Sequence, residues 1–154
     1  MSAVTFLASS RPFIIPDDIQ EYNNGSVFES REDFINLWVS EVDTYGWGKC
    51  VEGIFTLPYL YEISDANNRL FLLYLERYME IGDVLELLHI PNQHDFSYYK
   101  KRLMGTPEPI NINVGSLTYQ DKSGTYLLKA NSWVEELSHK IYLSEHGLTT
   151  IVKY

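Results

Sequence analysis

Glu76 and His89 are the two side chains of this sequence whose types best suit acid–base chemistry. A carboxylate beside an imidazole favours the charged ring and fixes its tautomer, and a tuned histidine is the commonest general base. If 70–79 and 84–90 are strands joined by a two-residue turn at Gly82-Asp83, Glu76 lies opposite His89. We therefore predict this pair as catalytic, with a surface polar contact without catalysis as the alternative.

Four tyrosines accompany that pair if the turn over 65–68 contains an even number of residues. They then share one face of the sheet, and we predict them as ligand-binding residues: Tyr59, Tyr61, Tyr74 and Tyr78. Tyrosine rings offer stacking faces, and their hydroxyl groups offer hydrogen bonds to a small ligand. Ordinary packing at the edge of a core is the alternative interpretation. On the opposite face, the same register sets Arg77 diagonal to Glu86 as a structural ion pair.

Other reactive residue types form no pattern that names a chemistry. His89, His94 and Asp95 have the spacing H-x4-H-D, which matches no established zinc pattern, so we predict no metal site and no cofactor. Cys50 follows Lys49, which can lower a thiol pKa, yet no histidine set accompanies it, so we interpret it as a bystander. The sequence also lacks a glycine-rich phosphate loop and a nucleophile-elbow motif.

Helix signals are dispersed along the chain. Pro16 with two acids in the following turn predicts a helix over 17–23. A capping-box match at Ser30 predicts a helix over 31–43, with a strand as the open alternative. Further helices are predicted over 95–104 and from Ser132. Whether this last helix continues to Gly147, or a hairpin replaces its end, stays open.

Strand signals alternate with these helices. Short apolar runs bounded by turn residues predict strands over 3–8, 54–64, 70–79, 84–90, 110–120, 125–129 and 148–153. Apolar residues at both parities of 70–79 and 84–90 indicate a sheet covered on both faces. The fold class predicted is α+β, a mainly antiparallel sheet built from hairpins with three to four dispersed helices. No linker or repeat appears, so 1–154 is expected to be a single domain.

Charge is concentrated in the first part of the chain. The net charge is −9, and residues 1–65 carry eleven acids against three bases, a net of −8. Such a surface repels phosphate backbones, so nucleic acid is disfavoured as a partner. A basic protein is the partner that this surface would attract.

The compartment is predicted from what the sequence omits. A single cysteine makes no internal disulfide, no basic residue precedes the short apolar run in 1–10, and no apolar stretch approaches the ~20 residues of a membrane helix. We expect a cytoplasmic protein without a membrane segment. The leading hypothesis for function is a non-catalytic binding module with an acidic N-terminal surface, as in inhibitor or immunity proteins. The alternative is a small enzyme that uses His89 and Glu76.

Overall fold

The computed structural model describes residues 4–23, 37–42, 50–64, 69–91, 96–139 and 147–154. These ranges contain one eight-stranded sheet with the order β2-β3-β1-β4-β8-β5-β6-β7. The strands are β1 (Val4–Ser9), β2 (Val39–Glu41), β3 (Tyr59–Ile63), β4 (Val84–Ile90), β5 (Ile110–Asn113), β6 (Thr118–Asp121), β7 (Gly124–Leu127) and β8 (Thr149–Val152). Every neighbouring pair is antiparallel except β5 with β8. The predicted α+β class with a mainly antiparallel sheet is confirmed.

Four helices lie within the same ranges: α1 (Asp17–Asn23), α2 (Arg69–Arg77), α3 (Phe96–Gly105) and α4 (Trp133–His139). Three of them, α1, α3 and α4, form where the start signals predict. In α1 the first turn carries two acids next to the helix N-terminus, where negative charge is favourable. The residues that would decide how far α4 continues, 140–146, lie outside the described residues.

Both faces of the sheet are covered by apolar side chains. The first face, which carries Leu7, Tyr61 and Leu87, packs against α1, α2 and α4. The second face, which carries Phe6 and Leu88, packs against α3 and the turn over 51–55. The buried pattern along β4 therefore includes both parities, as the sequence predicted. Burial on two sides explains why this strand is an almost continuous apolar run.

The strand predicted over 70–79 is wrong, because Arg69–Arg77 forms α2. A short apolar run does not distinguish a strand from a buried helix by periodicity alone. Connectivity decides the matter here. β1 lies between β3 and β4 and is antiparallel to both, so β3 and β4 are parallel to each other. Parallel strands require a crossover connection, usually a helix, and α2 supplies it instead of a hairpin.

The helix predicted over 31–43 is also wrong where the structure describes that range. Val39–Glu41 is the edge strand β2, antiparallel to β3, so the strand alternative holds there. Residues 31–36, including the proposed helix start, lie outside the described ranges. The strand predicted over 54–64 begins only at Tyr59, after a turn over 51–54 and directly after Pro58, which cannot donate to a ladder.

The last third of the chain agrees more closely with the sequence. The predicted strand over 110–120 divides into β5 and β6 around a turn over 114–117. β6 and β7 then form the hairpin predicted around 121–124. β8 follows the predicted final strand, and its parallel pairing with β5 was not predicted.

Candidate binding site

The predicted catalytic pair is not assembled on the sheet, because α2 replaces one of its two strands. Glu76 lies on the exposed side of α2. His89 lies in β4 opposite Thr5 of β1, and its Nδ1 is 3.0 Å from the Thr5 hydroxyl oxygen. The register that set Glu76 opposite His89 is therefore wrong. A catalytic role for either residue stays a prediction without this pairing to support it.

The four predicted ligand-binding tyrosines are only partly brought together. Tyr59 and Tyr61 lie in β3 on the first face, the same face as His89. Tyr59 is exposed, whereas Tyr61 is buried and its hydroxyl accepts a hydrogen bond from the Phe13 N–H at 3.0 Å. This bond satisfies a buried backbone donor, so Tyr61 anchors the segment that follows β1.

Tyr74 lies in α2, Tyr78 directly follows this helix, and the two side chains do come together. Their ring centroids are 6.1 Å apart in a stacked arrangement, and Tyr74 also packs against Phe13 at 4.5 Å. Phe13 contacts Tyr61 at 6.3 Å. An aromatic cluster thus joins the β1–α1 segment, β3 and α2.

A cavity of about 200 Å³ opens beside this cluster. Its walls are Arg11, Pro12, Ile14, Pro16, Tyr74, Tyr78 and Glu80. Ile14 is 73% exposed and places an apolar rim at the cavity. The chain therefore combines aromatic walls, an apolar rim and two charged groups in one depression.

Arg11 is held at one end of the cavity by contacts with Asp83 and the backbone of Tyr78. Its Nε and Nη2 both contact Oδ2 of Asp83, at 3.0 and 2.9 Å, and Nη2 donates to the carbonyl oxygen of Tyr78 at 3.1 Å. The hydrogen bonds to Asp83 raise the pKa of Arg11. Nη1 faces the more exposed Glu80 at 3.8 Å. Asp83 also accepts the Glu80 N–H at 2.8 Å, which closes the turn that carries both acids.

Tyr78 is fixed at the other end by α1. Its hydroxyl donates to Oδ1 of Asp18 at 2.5 Å, and Asp18 also contacts Arg77 at 3.4 Å. This hydrogen bond lowers the pKa of Asp18 and raises the pKa of Tyr78, because it stabilises the carboxylate and the protonated phenol. Burial, followed by the field of Asp83 and Glu80, raises the pKa of Tyr74 against the opposing effect of Arg11. Both phenols are thereby kept as neutral hydrogen-bonding groups.

More carboxylates than guanidinium groups surround the two tyrosines. Four carboxylates and two guanidinium groups act on them, a local net charge of −2: Asp17, Asp18, Glu80 and Asp83 against Arg11 and Arg77. None of these six charged residues was predicted as a site residue from the sequence. The sequence signal for Asp83 was the Gly82-Asp83 turn, which we interpreted only as the turn of a β-hairpin.

Other reactive groups lie elsewhere in the fold. Glu86 accepts three hydrogen bonds from the segment between the 51–54 turn and β3. The donors are the Thr56 and Leu57 N–H groups at 2.9 and 3.2 Å and the Thr56 hydroxyl at 2.9 Å. The predicted contact of Glu86 with Arg77 is therefore wrong. Cys50 is an exposed free thiol. His94 and Asp95 lie outside the described residues, and the described part of the chain contains no group of three potential metal ligands.

Comparison with protein-family models, curated proteins and solved structures found no match to this chain. No helix in the described ranges has both the length and the apolar character needed to cross a membrane.

Proposed function

We propose that this protein is a binding module that recognises a basic protein partner through the cavity between Arg11, Tyr74 and Tyr78 and the acidic surface around it. The observation that carries the proposal is the excess of carboxylates around Tyr74 and Tyr78, with Tyr78 held by its hydrogen bond to Asp18. A lysine or arginine side chain of the partner would lie against a tyrosine ring, where cation–π attraction adds to the charge attraction.

The size of the cavity supports a side chain as the occupant. Sites for drug-sized ligands and cofactors measure ~300–1,000 Å³. A volume of about 200 Å³ suits one long side chain presented by a macromolecule. The exposed Ile14 at the rim would then contact the apolar stem of that side chain.

Rigidity of the walls also supports a preorganised site. Arg11 is tied to β4 through Asp83, and Tyr78 is tied to α1 through Asp18. Walls that are already ordered lose little side-chain entropy when a partner binds. Glu80 and Asp17 remain exposed and make the outer acidic contacts.

A labelled oligo-arginine peptide, followed by fluorescence anisotropy at several ionic strengths, tests the proposal. We expect binding that weakens as salt rises, because exposed charges are screened. Glu80→Gln and Asp17→Asn should each weaken binding about two- to five-fold, the range of one exposed ion pair. Neither residue forms the bonds that hold Tyr78.

Glu52→Gln is the matched control, because it removes the same charge from an exposed residue of the turn on the second face. It should leave the affinity at the wild-type value. Equal losses in Glu52→Gln and Glu80→Gln would mean that only the net charge attracts the peptide. Binding that ignores ionic strength would overturn an acidic recognition surface.

A further inference from the structure

β7 ends the sheet and presents one side of its backbone to solvent. All four of its residues are exposed, and the side chain of Leu127 is 79% exposed. β6 pairs with one side of β7, and no strand of the described ranges pairs with the other. An open edge of this kind is a template for another strand.

The pairing with β6 determines which groups point outward. The Leu128 N–H donates to the Leu117 carbonyl at 2.7 Å, so these two residues form a hydrogen-bonded pair. Hydrogen-bonded and non-hydrogen-bonded pairs alternate along the ladder from there. Tyr126 is therefore bonded to Tyr119 in β6. Thr125 and Leu127 occupy the intervening positions, and their N–H and C=O groups face away from β6.

We propose that β7 pairs with β7 of a second copy of this chain, in antiparallel orientation around a two-fold axis at Tyr126. Thr125 and Leu127 are two residues apart, so Thr125 of one copy lies opposite Leu127 of the other and each exchanges both hydrogen bonds. The outward N–H and C=O groups of Thr125 and Leu127 in one copy thus form hydrogen bonds with those of Leu127 and Thr125 in the other. The two sheets become one continuous sheet.

Charge at this edge is nearly balanced, although the whole chain carries −9. Lys122 and Lys129 flank β7, and Asp121, Glu108 and Glu136 lie beside them, with Glu108 3.4 Å from the Lys122 Nζ and Glu136 accepting the Lys129 N–H at 2.7 Å. In the proposed register Lys129 lies opposite Ser123 and Lys122 opposite Ala130. No like charges lie directly opposite each other in this register.

β7 has fewer of the features that protect an edge strand than β2 has, although lysines flank it. Its residues, Gly-Thr-Tyr-Leu, include no proline and no charge, whereas the other edge strand, β2, is three residues long and carries Glu41. Short length and charge are the devices that discourage edge pairing. This difference between the two edge strands favours β7 as the strand that pairs with a second copy. This inference goes beyond the proposed function, because the cavity lies among β1, α1 and α2.

Sedimentation equilibrium over a range of protein concentrations tests the association. We expect the mass to rise from the monomer value of 17.9 kDa towards twice that value. Leu127→Lys should weaken the dimer by about tenfold or more, because both copies carry the added charge at the pairing edge. Met104→Lys, which adds the same charge at an exposed apolar residue of α3, should leave it unchanged.

A cysteine at the axis tests the register, in a Cys50→Ser background. Opposed residues of a non-hydrogen-bonded pair have Cα atoms ~4.5 Å apart, within disulfide range, so Tyr126→Cys should crosslink two copies. Thr125→Cys should not, because its equivalents are diagonal at about 7–8 Å. The proposal would be overturned by a chain that stays monomeric at ~1 mM. It would also be overturned by a dimer that Leu127→Lys leaves intact and that Tyr126→Cys fails to crosslink.

Discussion

Removing the Glu86 carboxylate should release the turn that precedes β3. Glu86 is 5% exposed and accepts three hydrogen bonds from Thr56 and Leu57. A hydrogen bond contributes ~1 kcal/mol net, so Glu86→Ala should lower the free energy of unfolding by about 3 kcal/mol. Thr56 is exposed, so its polar groups regain hydrogen bonds to water in the variant and the net value applies.

Glu86→Gln separates hydrogen bonding from charge. The amide keeps one oxygen for the two N–H donors, and its NH2 group can donate to the Thr56 hydroxyl, so the loss should be about 1 kcal/mol. For a chain of 154 residues, these values correspond to decreases in Tm of about 6–12 °C for the alanine variant and about 2–4 °C for the glutamine variant.

Urea unfolding followed by circular dichroism measures both variants, with the thermal transition as a second readout. Glu62→Gln is the charge control, since Glu62 lies on the second face in β3 and makes no side-chain hydrogen bond with any described residue. It should change stability by less than about 0.5 kcal/mol. If Glu86→Ala were no worse than Glu86→Gln, the three hydrogen bonds would not anchor the turn.

Two further predictions concern the start of β8 and the link between α1 and α2. Gly147→Ala should lower the free energy of unfolding by about 1–3 kcal/mol, because the added Cβ would lie 2.8 Å from the Glu108 backbone. Gly105→Ala is the control, in open space at the end of α3, and should be neutral or stabilising. Equal effects of the two substitutions in urea unfolding would contradict the close approach at Gly147. The lowered pKa of Asp18 means that its carboxylate stabilises the fold above the unfolded pKa of about 4, and that this contribution is lost as pH falls through the folded pKa. Asp18→Asn should therefore flatten the decline of Tm on acidification, compared with Asp17→Asn as the charge-matched control. Identical pH profiles for the two variants would argue against the hydrogen bond from Tyr78.

Local signals in the sequence were sufficient for several elements. Pro16 with Asp17 and Asp18 specified the start of α1, since fixed φ and negative charge both favour the first helical turn. The Asp121–Gly124 turn specified the β6–β7 hairpin in the same way. The interactions that select these structures are made within a few residues, so they can be predicted without knowing the rest of the fold.

The candidate site depended on contacts between distant residues. Arg11 meets Asp83, and Tyr78 meets Asp18, across 72 and 60 positions of the chain. No local pattern encodes these pairs, because the first exists only when β1 pairs with β4 and the second only when α1 and α2 pack on the same face of the sheet. The Glu76–His89 pairing failed for the corresponding reason, since it assumed a hairpin where the chain makes a crossover.

The sequence by itself determined composition, charge and the elements whose capping or turn residues act locally. Only the tertiary structure decided whether the apolar run 70–79 is helix or strand, because a helix and a strand buried on both sides require the same residue types. The position of β1 between β3 and β4 settled it, since a hairpin cannot join parallel strands. That single topological fact placed Tyr74 and Tyr78 beside Arg11 and put Glu76 in solvent.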